Sequence, residues 1–331
     1  LAHVLRCAKR LPRGAGQLMI GKRCANASFI PKSRLSLPMF ESHRNQGVRR
    51  REILAGLLAG GCWAGLGSHW AVAVDAPSRG KLKGRIRQAI CPGALRGMPV
   101  EAMCKVCAEL GLSGIDFVDP KDWPTLKRYG LICTMATMRG KGLNRKETRD
   151  EAVATLRKGI EMVAEAGFPN LICMSGNRAP GLSDEEGATN CVEALKLVAG
   201  LAEQTKVNVS MELLNSKRNH KGYMCDRTAW GVDVVKRVGS PRVRLLYDIY
   251  HMQVQEGDVI ATIKENIEYI AHFHTAGVPG RHEIDDTQEL YYPAIMRTIA
   301  ELKYAGYVAH EYSPKRDPLE SLRQSVAICD V

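Results

Sequence analysis

The residues of this chain best suited to chemistry stand where apolar runs end. "VNVSMELLN" carries Glu212, "RLLYDIYH" carries Asp248 and His251, "IAHFHTAG" carries His272 and His274, and "YVAHEYSP" carries Glu311. Acidic side chains are rarely left in apolar surroundings without a partner. Three carboxylates and one imidazole form a hard-to-borderline donor set suited to Mn²⁺, Mg²⁺ or Co²⁺, with Zn²⁺ also admissible. A divalent cation would compensate Asp248, and His251 would face a substrate beside it. Taken singly, each residue has an ordinary role as rim carboxylate, loop cap or core histidine. Their arrival at four successive strand ends favours the metal.

The elements that must position them follow from periodicity. Runs rich in β-formers predict strands at Arg87–Ile90, Gly114–Val118, Leu131–Met135, Asn170–Met174, Asn208–Leu213, Val243–Tyr247, Tyr269–His274 and Tyr307–Glu311. Amphipathic stretches predict helices at Val100–Leu110, Trp123–Arg128, Lys146–Ala166, Asp184–Gln204, Thr228–Val238, Val259–Ile267, Tyr292–Lys303 and Leu319–Ile328. Strict alternation implies parallel strands with crossover helices, and eight of each in about 250 residues implies an α/β (β/α)₈ TIM barrel. No glycine-rich dinucleotide fingerprint follows the first strand. Barrel enzymes build sites at the C-terminal strand ends. Strands one to four end in "AICPG", "DFVDP", "CTMAT" and "ICMSG", which offer few strong ligands, so the chemistry is expected on strands five to eight. Period-two alternation points His272 and His274 to the same side.

Composition removes several other functions. The 331 residues are 45% hydrophobic and 25% charged, an ordinary globular balance. The net charge of +12 is concentrated in residues 1–73, which hold 12 Lys/Arg against 2 Asp/Glu, while the remainder holds 35 against 33. The basic character therefore belongs to a leader and gives no footprint for nucleic acid. That leader, "VRRREILAGLLAGGCWAGLGSHWAVA", has arginines at 49–51, an apolar stretch from Ile53 to Leu66 and a small-x-small site at Ala71–Ala73. It reads as a twin-arginine-type signal that sends a folded protein to the periplasm, the product being cytoplasmic if the signal goes unused. The apolar stretch is too short and glycine-rich to predict a stable membrane span. Residues 1–38, ahead of Met39, lack periodicity and read as an over-extended start. The expected organisation is thus a leader over 1–73 and one catalytic domain over 74–331. Eight cysteines follow Ala73, scattered through predicted elements; the CxxC pair Cys104 and Cys107 sits mid-helix and is expected in the core. Helical faces leave room for a homo-oligomer, although no residue specifies one.

Two loops add cations. Arg281, in "TAGVPGRHEIDDTQELYYP", is either a fork for a carboxylate or sugar oxygen or a solvated loop charge. "NSKRNHKGYMCDRT" supplies Lys217, Arg218 and His220, which form either an anion-binding edge or a wet loop.

Over residues 87–320 the chain resembles the xylose-isomerase-like barrel superfamily of sugar isomerases, epimerases and apurinic endonucleases. Through "MELLN", "YDIYHMQ", "HFHTAGVPGRHEIDD" and "HEYSPKRDP" it resembles most closely the hydroxypyruvate isomerase family. The resemblance implies one divalent metal ion held by Glu212, Asp248, Glu311 and a fourth ligand at the end of strand seven. Hydroxypyruvate isomerases carry glutamine there and ketose epimerases histidine; this chain has His274. The epimerases also carry a second carboxylate six residues after the strand-five glutamate, where this chain has Arg218.

The implied reaction converts hydroxypyruvate to tartronate semialdehyde through an enediolate. Glu212 and Glu311 would move the proton, and His251 would polarise or protonate a substrate oxygen. Arg281 would bind the substrate carboxylate, with Lys217 beside it. The alternative is an isomerase or epimerase of a keto-sugar or oxidised glycoside using the same metal and glutamate pair. Apurinic endonucleases need extra histidines from the early strands, whereas this chain has none between Ala73 and Asn219. A non-catalytic ligand-binding barrel is disfavoured by the intact Glu212 and Glu311.

Overall fold

Short runs that are apolar on both faces belong in a parallel sheet covered by helices. The computed structural model describes residues 80–331, so the leader, its cleavage site and the expected domain start at residue 74 lie outside the described residues. Within them, β1 (Arg87–Ile90), β2 (Gly114–Ile115), β3 (Asn170–Cys173), β4 (Asn208–Leu213), β5 (Val243–Asp248), β6 (Ile270–Thr275) and β7 (Tyr307–His310) form one parallel sheet. Its order is β2-β1-β7-β6-β5-β4-β3. The gap between β2 and β3 is spanned by residues 131–136, where Ile132 pairs with Gly114 and Ala136 with Leu171. The curled sheet closes there, as a TIM barrel requires.

The eighth strand expected at Leu131–Met135 is therefore a bridging segment, and the reason lies in side chains that take up backbone acceptors. Asn170 Nδ2 donates to the Thr134 carbonyl at 2.7 Å, and the Cys133 thiol donates to the Met135 carbonyl at 3.3 Å. The expected Gly114–Val118 strand likewise shrinks to two residues, because Phe117 takes a φ of 58° and leaves the extended region. Gly114 lets the two segments approach: a Cβ there would lie 2.0 Å from the Ile132 carbonyl oxygen. Gly114→Ala is accordingly expected to lower stability by about 3 kcal/mol. Urea denaturation would read this as a lower midpoint at constant slope, and an unchanged midpoint would mean that the closure relaxes freely.

Helices α1 (Val100–Glu109), α2 (Trp123–Arg128), α3 (Arg149–Ala166), α4 (Asp184–Thr205), α5 (Thr228–Val238), α6 (Ile249–Gln255), α7 (Val259–Asn266), α8 (Tyr292–Glu301) and α9 (Pro318–Cys329) surround the sheet. Gly167 and Gly239 end α3 and α5 with φ of 73° and 76°, the left-handed cap that glycine adopts without a Cβ penalty. Helix α6 is not anticipated. It starts because the Asp248 side chain accepts from the His251 backbone N–H at 3.0 Å, capping the first turn. Among the described residues no helix is long and apolar enough to cross a membrane. Cys104 and Cys107 are buried free thiols in the main apolar cluster, as expected.

Strand alternation sorts side chains into two compartments. Val209, Met211, Leu213, Leu245, Tyr247 and Phe273 join the large cluster under the helices. Their neighbours point the other way, into the barrel. Ala89, Cys91 and Ala309 form one small cluster there, and Met135, Ile172 and Leu246 another. The same alternation sends Glu212, Asp248, His272 and His274 into the lumen.

Candidate metal centre

Four consecutive strands deliver one ligand each. Glu212 is the penultimate residue of β4, Asp248 ends β5, His274 lies one residue from the end of β6, and Glu311 follows β7 directly. Register sets their heights: Asp248 pairs with His274, and the Glu311 backbone N–H donates to the Thr275 carbonyl at 3.0 Å. One donor atom from each of the four lies within 4.8 Å of the other three. His274 Nδ1 is the hub, 2.7 Å from Glu311 Oε2, 3.5 Å from Glu212 Oε1 and 4.0 Å from Asp248 Oδ2. All four residues expected as ligands are thus together.

Three carboxylates this close cannot all stay ionised in a buried site without positive charge. Burial pushes Glu212 up to about 7, with nearby Glu311 adding to the rise and His274 opposing it. Burial also acts to raise Asp248, but His251, Arg281 and His274 outweigh it and hold that group below the usual carboxylate range. For His274 burial acts downward, while Cys91, Glu311 and Asp116 push upward and win. The residues present fit a divalent cation. Beyond the three oxygens and one nitrogen, the fully buried His274 Nδ1 faces the carboxylates yet makes no well-formed hydrogen bond among the described residues. Such a set would hold Mg²⁺, Mn²⁺, Co²⁺ or Zn²⁺.

Arg281 reaches the centre from the loop after β6. Its Nη2 lies 3.0 Å from Asp248 Oδ2 and 2.6 Å from Glu311 Oε2, and its buried Nε has no partner among the described residues. The backbone at Arg281 takes φ 61°, fixed by its N–H donating to Gly277 and its carbonyl accepting from Ser313, both at 2.9 Å. Glu283 fastens the same loop to the next one. Its buried carboxylate accepts from the Lys315 and Arg316 backbone N–H groups at 2.8 and 3.0 Å and from Ser321 Oγ at 2.9 Å.

His251 lies beside the same carboxylates. Its Nδ1 accepts from the Asn215 backbone N–H at 3.3 Å and lies 2.6 Å from Asn215 Nδ2, so the neutral ring carries its proton on Nε2. That Nε2 is unpartnered among the described residues and sits 3.7 Å from Asp248 Oδ2. Burial pushes the imidazole down to about 4, which keeps it a neutral donor at physiological pH.

Lys217 is not brought in. Its side chain is exposed and forms no ion pair among the described residues; only its backbone N–H is engaged, donating to Gln255 Oε1 at 3.2 Å. Arg218 is exposed as well, whereas His220 of the same loop meets the His251 ring edge-on with centroids 5.1 Å apart. The expectation that strands one to four offer little also needs correction. Asp116, just past β2, is fully buried in the lumen, 2.7 Å from His272 Nε2 and 3.0 Å from His274 Nε2, and it accepts from the Thr134 hydroxyl. Burial acts to raise its pKa, but His272 and His274 hold it well below the usual range. The signal was an acid inside "SGIDFV", the same anomaly that singles out Asp248.

Comparison with known proteins supplies context. A family model described as "Xylose isomerase-like TIM barrel" matches residues 104–329. The chain is 32% identical over 161 residues to a 2-oxo-tetronate isomerase of Cupriavidus necator, an alignment covering 49% of this chain and 61% of that protein. It is 27% identical over 202 residues to the hydroxypyruvate isomerase of Escherichia coli, covering 61% and 73%. The chain thus spans less than two thirds of the Cupriavidus relative. Among solved structures, an AP endonuclease, family 2, from Brucella melitensis aligns with a TM-score of 0.63 at 24% identity, covering 72% of this chain and 97% of that one. The 3-keto-D-glucoside 4-epimerase of E. coli aligns with a TM-score of 0.62 at 20% identity, covering 73% and 98%. At these identities the structural likeness speaks for the fold alone.

Proposed function

The chain belongs to the xylose isomerase-like TIM barrel family, and from that membership we propose a metal-dependent isomerase of a short hydroxy-keto acid, foremost hydroxypyruvate to tartronate semialdehyde. The observation that carries the reading is the meeting of Glu212, Asp248, His274 and Glu311 within 4.8 Å at the C-terminal rim of the barrel. The names of the hydroxypyruvate and 2-oxo-tetronate isomerases it resembles support the same substrate class.

A divalent cation held by those four residues would supply Lewis-acid stabilisation of the oxyanion that develops during the reaction. The chain's own groups do the rest. One of the carboxylates Glu212 and Glu311 takes a proton from C3 of hydroxypyruvate, giving an enediolate, and the other returns a proton at C2. The hydroxyl proton passes from O3 to O2, with the His251 Nε2–H holding the substrate oxygen. Arg281 pairs with the substrate carboxylate through its free Nε–H while its Nη2 stays on Asp248 and Glu311, two simultaneous engagements on a planar group that lysine lacks. Arg281→Lys is therefore expected to raise KM for hydroxypyruvate by about 10- to 100-fold, while leaving proton exchange with any neutral keto-sugar near its original level. Equal losses for acid and sugar would remove Arg281 from carboxylate recognition.

A second reading is an epimerase or isomerase of a keto-sugar. His274 favours it, because the ketose epimerases that the sequence resembles carry histidine at this place. Arg218, standing where those enzymes carry a second carboxylate, opposes it. The same proposal has the chain exported in the folded state by the leader over residues 1–73, which cell fractionation with Arg49 and Arg50 replaced by lysine would test.

Proton NMR of the purified protein in D₂O with Mg²⁺, offered hydroxypyruvate and then keto-sugars, tests the function. Deuterium uptake with tartronate semialdehyde formation supports the isomerase. Metal-dependent exchange with a sugar alone moves the assignment to the second reading. No exchange with any compound overturns both.

A further inference from the structure

Asp116 touches neither the four candidate ligands' carboxylates nor the Arg281 loop, yet the centre is built against it. Its Oδ2 is the common acceptor for the Nε2 atoms of His272 and His274, at 2.7 and 3.0 Å. Its other oxygen takes the Thr134 hydroxyl, and the Cys91 thiol donates weakly to Oδ2 at 3.8 Å. An ionised carboxylate offers acceptors only, so an imidazole nitrogen at 3.0 Å must present its proton there. The ring plane is fixed as well. Phe117 meets the His274 ring edge-on at 5.7 Å and 87°, and His272 meets it at 5.2 Å and 90°. With Nε2–H spent on Asp116, the neutral ring keeps its lone pair on Nδ1, the atom that faces Glu212, Asp248 and Glu311.

We propose that Asp116 is the positioning residue of the metal centre: by accepting from His274 Nε2–H it commits this chain to metal binding through Nδ1. The inference rests on the metal reading given above and goes beyond it, because a ligand alone does not say which nitrogen binds. A carboxylate behind a metal-bound imidazole holds the tautomer and raises the basicity of the ring, and its loss typically costs 10- to 100-fold in metal affinity. It also explains how a histidine can serve where hydroxypyruvate isomerases use glutamine: an amide has no tautomer to set, and a histidine does. The rival account is that Asp116, His272 and His274 hold an ion of their own, since their donor atoms also lie within 4.8 Å of one another.

The test is Mn²⁺ titration of metal-stripped protein, following free Mn²⁺ by electron paramagnetic resonance, for wild type, Asp116→Asn, His274→Gln and the double variant. One ion per chain is expected in the wild type, with affinity 10- to 100-fold weaker in Asp116→Asn. In the His274→Gln background, adding Asp116→Asn should change affinity less than about twofold, because the interaction being removed no longer exists. An equal penalty in both backgrounds would make Asp116 a general packing residue and overturn the proposal. Two ions per chain, one lost with Asp116→Asn, would overturn it in favour of a second ion site. Should the wild type bind no Mn²⁺, the metal reading falls, a result distinct from either. Long-range ¹H–¹⁵N NMR of histidine-labelled wild type loaded with Mg²⁺ needs no Asp116 variant. A proton on His274 Nε2 supports the proposal, and a proton on Nδ1 overturns it.

Discussion

Glu311→Gln is expected to lower turnover by about three orders of magnitude with the fold intact, the size of effect typical when a positioned acid or base is lost. The substitution keeps shape and removes charge. Glu311 stands immediately after β7, partly exposed, and its carboxylate contacts are His274 Nδ1 at 2.7 Å and Arg281 Nη2 at 2.6 Å. The amide can still occupy the space, so helical content and cooperative unfolding should be retained. Removing one anion from a crowded set also relieves repulsion, which argues against a loss of stability in the stripped protein. What goes is a carboxylate proposed both to carry the proton and to hold the metal. Circular dichroism and a rate measurement on one preparation decide the matter, and a variant that keeps more than a tenth of wild-type turnover would exclude Glu311 from proton transfer.

Stripping the metal by dialysis against a strong chelator is expected to abolish turnover and lower the melting temperature, with both restored by Mn²⁺, Co²⁺ or Mg²⁺. The direction follows from electrostatics. Glu212, Asp248 and Glu311 bring three carboxylates to one buried point, where His274 and Arg281 are the cations paired with them among the described residues. An ion that binds the folded chain alone adds stability by mass action, about 2.7 kcal/mol at one hundred times its dissociation constant. For a domain of this size that corresponds to a rise of roughly 5–10 °C. Chelation that leaves both quantities unchanged would mean that the cluster is an internal ion-pair network and not a metal centre.

The parts of this molecule that periodicity and capping specify were legible in advance. β1, β4, α2 and α5 fall at their expected bounds, because each is a full-length apolar pattern with its own stop signal. The four candidate ligands were legible for a related reason, since each is an acid or imidazole where an apolar run should simply end. Asp116 obeys the same rule but sits after a strand only two residues long, too short to declare a face. Helix α6 was hidden because "IYHMQVQ" continues the preceding strand's composition, and only the Asp248 cap turns it into a helix. The exposed placement of Lys217 was not legible, for the opposite reason. Its loop has no period, so direction there is set by contacts distant in sequence, such as Gln255 on α6. Arg281 belongs to the same class of loop, yet it lands in the centre because Gly277, Ser313 and the Glu283 fastening hold its backbone.

A cask fails at its loosest stave, and in this barrel the loosest stave is residues 131–136. Seven staves are joined by continuous ladders, whereas this one is pegged at Ile132 and Ala136 and by the amide of Asn170. The four candidate ligand positions all belong to the β4-to-β7 arc of paired strands. Thermal opening therefore has a preferred side, and it is the side that carries no ligand. Asp116 and Phe117 span the divide: Asp116 is rooted beside the loose stave through Thr134 and grips the firm arc through its two histidines, while the Phe117 backbone N–H donates to the Met135 carbonyl and its ring meets His274 edge-on. Whatever motion the seam allows can reach the candidate metal centre through those contacts.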